Sequence, residues 1–177
     1  MSEVQDALQT LIDGGLHRSK IRDICDDIVD CDYDERWAVV LAFLHEDGQN
    51  DIDPDQISEE SYNDNTFCVA GKDYRVLTED EADDAAREYI EDSLWAFNSN
   101  FLAGETGLPV VVFDALSREC ESANDAVRSI VDGSCGIDEF VSEAIKADGR
   151  GHFLNSYDGN EHEVCVGGEY FYVYRVN

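Results

Sequence analysis

Apolar positions change their period along this chain, and the changes mark its elements. Val4, Leu8, Leu11 and Ile12 share one helical face, which Gly14-Gly15 closes. Ile21, Ile24, Cys25, Ile28 and Val29 repeat the spacing behind Ser19, a suitable cap for a second amphipathic helix. The third segment, "DERWAVVLAFLHED", is apolar nearly all round, with Trp37, Val39, Val40, Leu41, Phe43 and Leu44, and so predicts a buried helix. The period then drops to two. "FCVAGKDYRVL", Phe67 to Leu77, aligns without gaps to "VCVGGEYFYVY", Val164 to Tyr174. Each predicts a β-hairpin, with a two-residue turn at Gly71-Lys72 or Gly168-Glu169 of type II′.

In that register Phe67, Val69, Tyr74 and Val76 share one face of the first ribbon, and Val164, Val166, Phe171 and Val173 one face of the second. A lone hairpin cannot bury such a face. The economical solution is one antiparallel sheet of about four strands, backed by helices. The opposite face of the last strand carries Tyr170, Tyr172 and Tyr174 beside Cys165. These rings need a cover, either a packed helix or loop of the chain or a partner or ligand.

Between the hairpins the helical period returns. Thr78 and Glu81 form a capping box, and Ala82, Ala85, Ala86, Tyr89, Ile90 and Phe97 make a stripe over five turns, with Trp95 on the opposite side. Pro109 restarts the chain, and Phe113, Leu116, Cys120, Ala123, Val127 and Ile130 define a further face of one helix or two shorter ones, with "PVVVF" readable also as a strand. Ile137, Phe140, Val141, Ala144 and Ile145 give the last helix. The fold class expected is therefore α+β: an N-terminal helical part over residues 1–48, an acidic linker over 49–66, and an α+β domain over 67–177.

Composition changes this picture through charge. Asp and Glu number 41 against 12 Lys and Arg, a formal net charge of −29. Self-repulsion on that scale costs stability. One explanation is work in very high salt, where screening shortens to a few ångströms. The shortage of lysine (only Lys20, Lys72 and Lys146) fits it. The other is carboxylates displayed as a decoy for a protein that binds phosphates. No basic stripe exists for direct binding of nucleic acid. No apolar run is long enough for a membrane helix, and the first residues lack the regions of a signal peptide, so a cytoplasmic location is expected.

Candidate chemistry is sparse. The six cysteines include no Cys-x-x-Cys pair and read as small buried hydrophobes, so no metal site is expected; zinc would need a set as scattered as Cys135, His152, His162 and Cys165. Asp51, Asp53 and Asp55 imitate the start of a calcium loop, but Gln56 and Tyr62 stand where glycine and glutamate are needed. Nucleotide-binding loops, metalloprotease helices and nucleophile elbows are absent, and no motif asks for a cofactor. The densest cluster is "GRGHFLNSYDGNE". There Arg150, Asn155 and Tyr157 are candidate binding residues, and His152 and Asp158 candidate acid–base catalysts. The alternative is a helix stop at Gly149 and Gly151 and a turn at Asp158-Gly159. Trp95, Tyr170, Tyr172 and Tyr174 are candidate contact residues.

"LTEDEADDAAREYIEDSLWAFNSNFL" and "ADGRGHFLNSYDGNEHEV" resemble segments of small uncharacterised proteins encoded by bacteriophages and other mobile elements, over about residues 76 to 177. The resemblance implies an accessory protein acting on host machinery and carries no catalytic roles. Three functions stand. The first is a non-enzymatic interaction protein of a phage or mobile element, with itself or a basic nucleic-acid-binding defence protein as partner and DNA mimicry as its means. The second is a halophile or halovirus protein whose acidity is salt adaptation. The third is a small enzyme using the Arg150–Asp158 loop.

Overall fold

The structure, a computed structural model, describes residues 36–49, 57–59, 65–166 and 168–177. The two helices expected before residue 30 and the Asp51–Asp55 spacing lie outside the described residues. The elements run α1 (Arg36–Glu46), β1 (Ile57–Glu59), β2 (Thr66–Val69), β3 (Lys72–Leu77), α2 (Glu79–Asp92), a 3-10 turn (Leu94–Ala96), α3 (Ser99–Thr106), α4 (Val110–Leu116), a second 3-10 stretch (Ser117–Ala123), α5 (Asn124–Ser134), α6 (Ile137–Asp148), α7 (Arg150–Leu154), β4 (His162–Val166) and β5 (Glu169–Arg175). The fold is α+β, as the periodicities require.

The chain forms two compact units. A sheet unit takes in the described residues up to Ala82 together with Leu154–Asn177. A helical unit, Asp83–Phe153, is inserted between β3 and β4.

In the sheet unit, five antiparallel strands lie in the order β1-β2-β3-β5-β4. The fifth strand is β1, Ile57–Glu59, which pairs with β2 inside the acidic stretch 49–66. The apolar face is the expected one. Phe67, Val69, Tyr74, Val76, Val164, Val166, Phe171 and Val173 are all buried, in one cluster with Ala38 to Ala42 and Leu44 of α1. The all-round apolar helix is thus the backing of the sheet. Arg36, at its start, pairs with Glu81 at 2.9 Å and donates to the Val76 carbonyl at 3.3 Å. Glu81 also accepts from the Thr78 backbone N–H at 2.9 Å, and its own N–H donates to the Thr78 hydroxyl at 3.4 Å, the two bonds of the predicted capping box. Burial would push the Glu81 carboxyl up, but its bonds to Arg36 and Thr78 outweigh that and hold it below the usual glutamate range.

The turns sit one residue earlier than expected. Val69 pairs with Lys72, so Ala70-Gly71 makes the first turn, with φ of +52° and +75°. Two positive φ angles define type I′, not type II′. Val166 likewise pairs with Glu169.

In the helical unit, Ala85, Ala86, Ile90, Leu94, Leu102, Phe113, Ala123, Val127, Val131, Phe140 and Ala144 are buried. α2 stops at Asp92, short of the predicted Phe97. The Ser93 hydroxyl donates back to the Tyr89 carbonyl at 2.6 Å, the 3-10 turn follows, and Asn98 caps α3 by accepting from the Asn100 N–H at 2.8 Å. "PVVVF" is helical behind Pro109, which suits a helix start. The next face is broken at Cys120 (φ +51°), which separates α4 from α5. Among the described residues, no helix is long and apolar enough to cross a membrane. Cys68, Cys135 and Cys165 are half-buried and Cys120 is exposed, so none of the four is the fully buried hydrophobe expected.

Candidate functional site

The predicted Arg150–Asp158 loop is a short helix followed by a tight turn. α6 ends where Gly149 takes a φ of +80°, a conformation that favours glycine, with its N–H on the Ile145 carbonyl at 2.7 Å. α7 begins at once. Arg150 reaches back to Asp83 at 2.8 Å, and its side chain is 9% exposed. A guanidinium so covered and paired is not displayed to an anion from solution. His152, two residues on, is exposed and stands edge-on to the Phe153 ring at 5.1 Å.

Asn155 is buried, and its amide organises the following turn. Its Oδ1 accepts from the N–H groups of Tyr157 (3.0 Å) and Asp158 (3.2 Å), and its Nδ2 donates to the Asn160 carbonyl at 2.7 Å. Asp158 accepts from the Asn160 N–H at 3.0 Å, and that bond holds its carboxyl below the ordinary value. Tyr157 is exposed, with the Arg175 guanidinium 3.5 Å from its ring centre. His152 falls in the helical unit and Asp158 in the sheet unit. The scattered zinc set divides the same way, with Cys135 and His152 in one unit and His162 and Cys165 in the other. Among the described residues, no group of three or more His, Cys, Asp or Glu is gathered as metal ligands.

The aromatic candidates separate by burial. Tyr172 is 8% exposed and Tyr174 0%, whereas Tyr170 is 57% exposed. Phe171 to Tyr174 are buried on both faces of β5, and the Tyr174 hydroxyl donates to Glu161 at 2.5 Å. Trp95 sits half-buried in the 3-10 turn, with its backbone N–H on Asn124 Oδ1 at 3.1 Å.

Within the helical unit, His152 opens onto a cleft of about 290 Å³. Tyr89, Phe97 and Phe153 supply its aromatic wall, and Asn98 and Asp148 join His152 as its polar groups. Tyr89 and Phe97 lie 6.0 and 6.2 Å from Phe153, centroid to centroid, and Phe97 continues into a cluster with Phe101 and Phe140. The rings are therefore held from behind. Sequence reasoning placed Tyr89 and Phe97 in a core stripe and passed over Asp148; the available signal was two helix-end residues, Ser93 between the two rings and Asn98 just after the second. The serine hydroxyl at the cleft, that of Ser93, donates to the Tyr89 carbonyl at 2.6 Å, so no activated nucleophile stands beside His152.

No family model, curated protein or solved structure matches the chain.

Four of the five Lys and Arg side chains of the helical unit are paired within it, and the exposed Arg118 has no ion pair among the described residues. Arg87 pairs with Glu91 and Asp138, Arg128 with Glu91, Lys146 with Glu143, and Arg150 with Asp83. Asp84, Glu88 and Asp92, one turn apart on α2, are exposed, and no ion pair among the described residues holds them. Their spacing along the helix is about 6 Å per step.

Proposed function

We propose that this chain is a non-enzymatic acidic interaction protein, an accessory of a phage or mobile element. Its carboxylate rows occupy the phosphate-binding surface of a basic, nucleic-acid-binding host protein. The observation that carries this reading is the disposal of charge in the helical unit. Arg87, Arg128, Lys146 and Arg150 are each tied to an acid, with Arg118 the exception, while Asp84, Glu88 and Asp92 stand in water with no cation paired to them among the described residues. A cationic groove evolved for a polyanion meets a regular series of negative charges there, and long-range attraction speeds the encounter. The engagement of Arg150 with Asp83, and of Asn155 and Asp158 in their turn, supports binding rather than turnover.

The test is displacement. The protein should release a labelled duplex from basic DNA-binding proteins, with potency that falls steeply as salt rises, while not binding the duplex itself. The triple variant Asp84→Asn, Glu88→Gln, Asp92→Asn should displace more weakly at unchanged stability. Equal potency of that variant, or no displacement from any basic protein tried, would defeat the proposal.

One observation favours a second reading, salt adaptation. Exposed carboxylates are not confined to α2 but recur on every part of the helical unit, as at Asp114, Glu119, Glu121, Asp125, Asp132 and Glu139. The dependence of folding on salt separates the two readings.

A further inference from the structure

We propose that the aromatic cleft of the helical unit seats the cationic head of one Lys or Arg side chain presented by the basic partner. This rests on the reading above, and it names the site at which that partner is gripped rather than merely attracted.

The chemistry of the wall selects the occupant. Tyr89, Phe97 and Phe153 line the space, and aromatic ring faces attract organic cations within about 6 Å. The Asp148 carboxylate stands at the same cleft, exposed, and no ion pair among the described residues neutralises it. Neither Lys nor Arg lines the cleft, so nothing there would hold a phosphate or carboxylate. A metal ion would find only Asp148 and His152 as ligands. The volume, about 290 Å³, is at the low end for pockets that take small molecules. It suits a side-chain head better than a nucleotide.

Rigidity supports the same conclusion. Phe97 stacks on Phe101 and meets Phe140 edge-on at 5.2 Å, so one wall of the seat is fixed by the core. Tyr89, 52% exposed, is the ring free to close over an entering chain. The sheet unit already uses the interaction, with Arg175 laid over Tyr157. A seat of this kind adds affinity for side chains that reach into it, beyond what the diffuse carboxylates give to any cation.

The full chain, labelled with nitrogen-15, should be titrated with N-acetyl-lysine amide and N-acetyl-arginine amide, with the neutral N-acetyl-glutamine amide as control. Saturable shifts are expected at the amides of Tyr89, Asn98 and Phe153 with the cations and not with the control; the two cations decide between ammonium and guanidinium. Tyr89→Ala and Asp148→Asn should each weaken binding about three- to tenfold, as loss of a ring or a charge at such a seat does. Both side chains are at the surface, so an otherwise unchanged amide spectrum will show that the fold persists. Shifts no larger than those of the control, or shifts centred on Asp84 and Glu88 that survive Tyr89→Ala, would overturn the seat. If the amides fail but the protein still displaces DNA from basic proteins, the seat falls and the interaction reading stands. If the amides bind but no displacement occurs, the cation seat stands and the nucleic-acid-binding partner falls.

Discussion

Tyrosines four residues apart in one strand have opposite duties here. Tyr174 is fully buried and bonded to Glu161, while Tyr170, on the same face of β5, is 57% exposed. Tyr174→Ala removes a large buried ring and leaves a space that the sheet cannot close, so it should cost about 3–5 kcal/mol. Tyr170→Ala should stay within about 0.5 kcal/mol, as surface changes do. Urea denaturation of the two variants checks the contrast, and equal costs would contradict the burial described. The sequence showed that the row of rings needs a cover. It could not say which ring escapes one, because that depends on where the strand outruns its neighbours. The cleft was half legible for a related reason. His152 stands out as a polar group among glycines, whereas Tyr89 and Phe97 carry the spacing of core residues and are told apart only by the helix end between them.

At the scale of the element, the hairpins show why faces are easier to read than turns. The expected turn was Gly71-Lys72 and the observed one is Ala70-Gly71. Moving the turn back by one residue shifts each cross-strand partner by two, and two is the period of a strand, so every side chain keeps its face. Phe67 faces Tyr74 rather than Val76, and both arrangements bury the same residues. The turn itself depends on φ, which Gly71 permits at either place. Ala70 is then left with a φ of +52°. Left-handed backbone costs a residue with a Cβ about 1–2 kcal/mol, against about 0.5–1 kcal/mol for the extra freedom of glycine in the unfolded chain. Ala70→Gly should therefore stabilise the protein by about 0.5–1 kcal/mol, and Ala70→Val, whose branched Cβ tolerates that region least, should destabilise it. Thermal melts of both variants test the turn; a stabilising valine would rule out type I′. The helix α2 went the other way. Its apolar spacing keeps phase as far as Phe97, so periodicity carried the reading past Asp92. At the break the Ser93 N–H turns to the Ile90 carbonyl, an i to i−3 bond at 3.2 Å that no periodicity records.

For the whole molecule the governing quantity is a net charge of −29. If the carboxylates are an adaptation to salt, repulsion between them limits the folded state at low ionic strength, and Tm should climb steeply from low to molar KCl. If they are kept for a partner, the internal pairs of Arg87, Arg128, Lys146 and Arg150 and the two hydrophobic cores must suffice alone, and Tm should be high at low salt and nearly flat thereafter. Calorimetry across that range distinguishes the two. The overall α+β architecture was legible because two periodicities alternate along the chain. The short strand β1 was not, since Ile57 is the one apolar residue among its three.

The order of the strands has a consequence for the chain as it is made. β5 is the last strand in sequence, yet it lies between β3 and β4, and its contact with β3 joins residues on either side of the entire helical unit. On the ribosome, β1 to β3 emerge as a meander with an apolar face and an open edge on β3. The helical insert follows, and at about 5–20 residues per second its translation takes on the order of several seconds. Throughout that interval the edge awaiting β5 has no strand to pair with, and open edges recruit strands from other chains. α1, already synthesised, can cover the face but not the edge. The nascent protein is thus most exposed to misassembly while its helical half is being built, and the sheet closes only when β5 follows that insert.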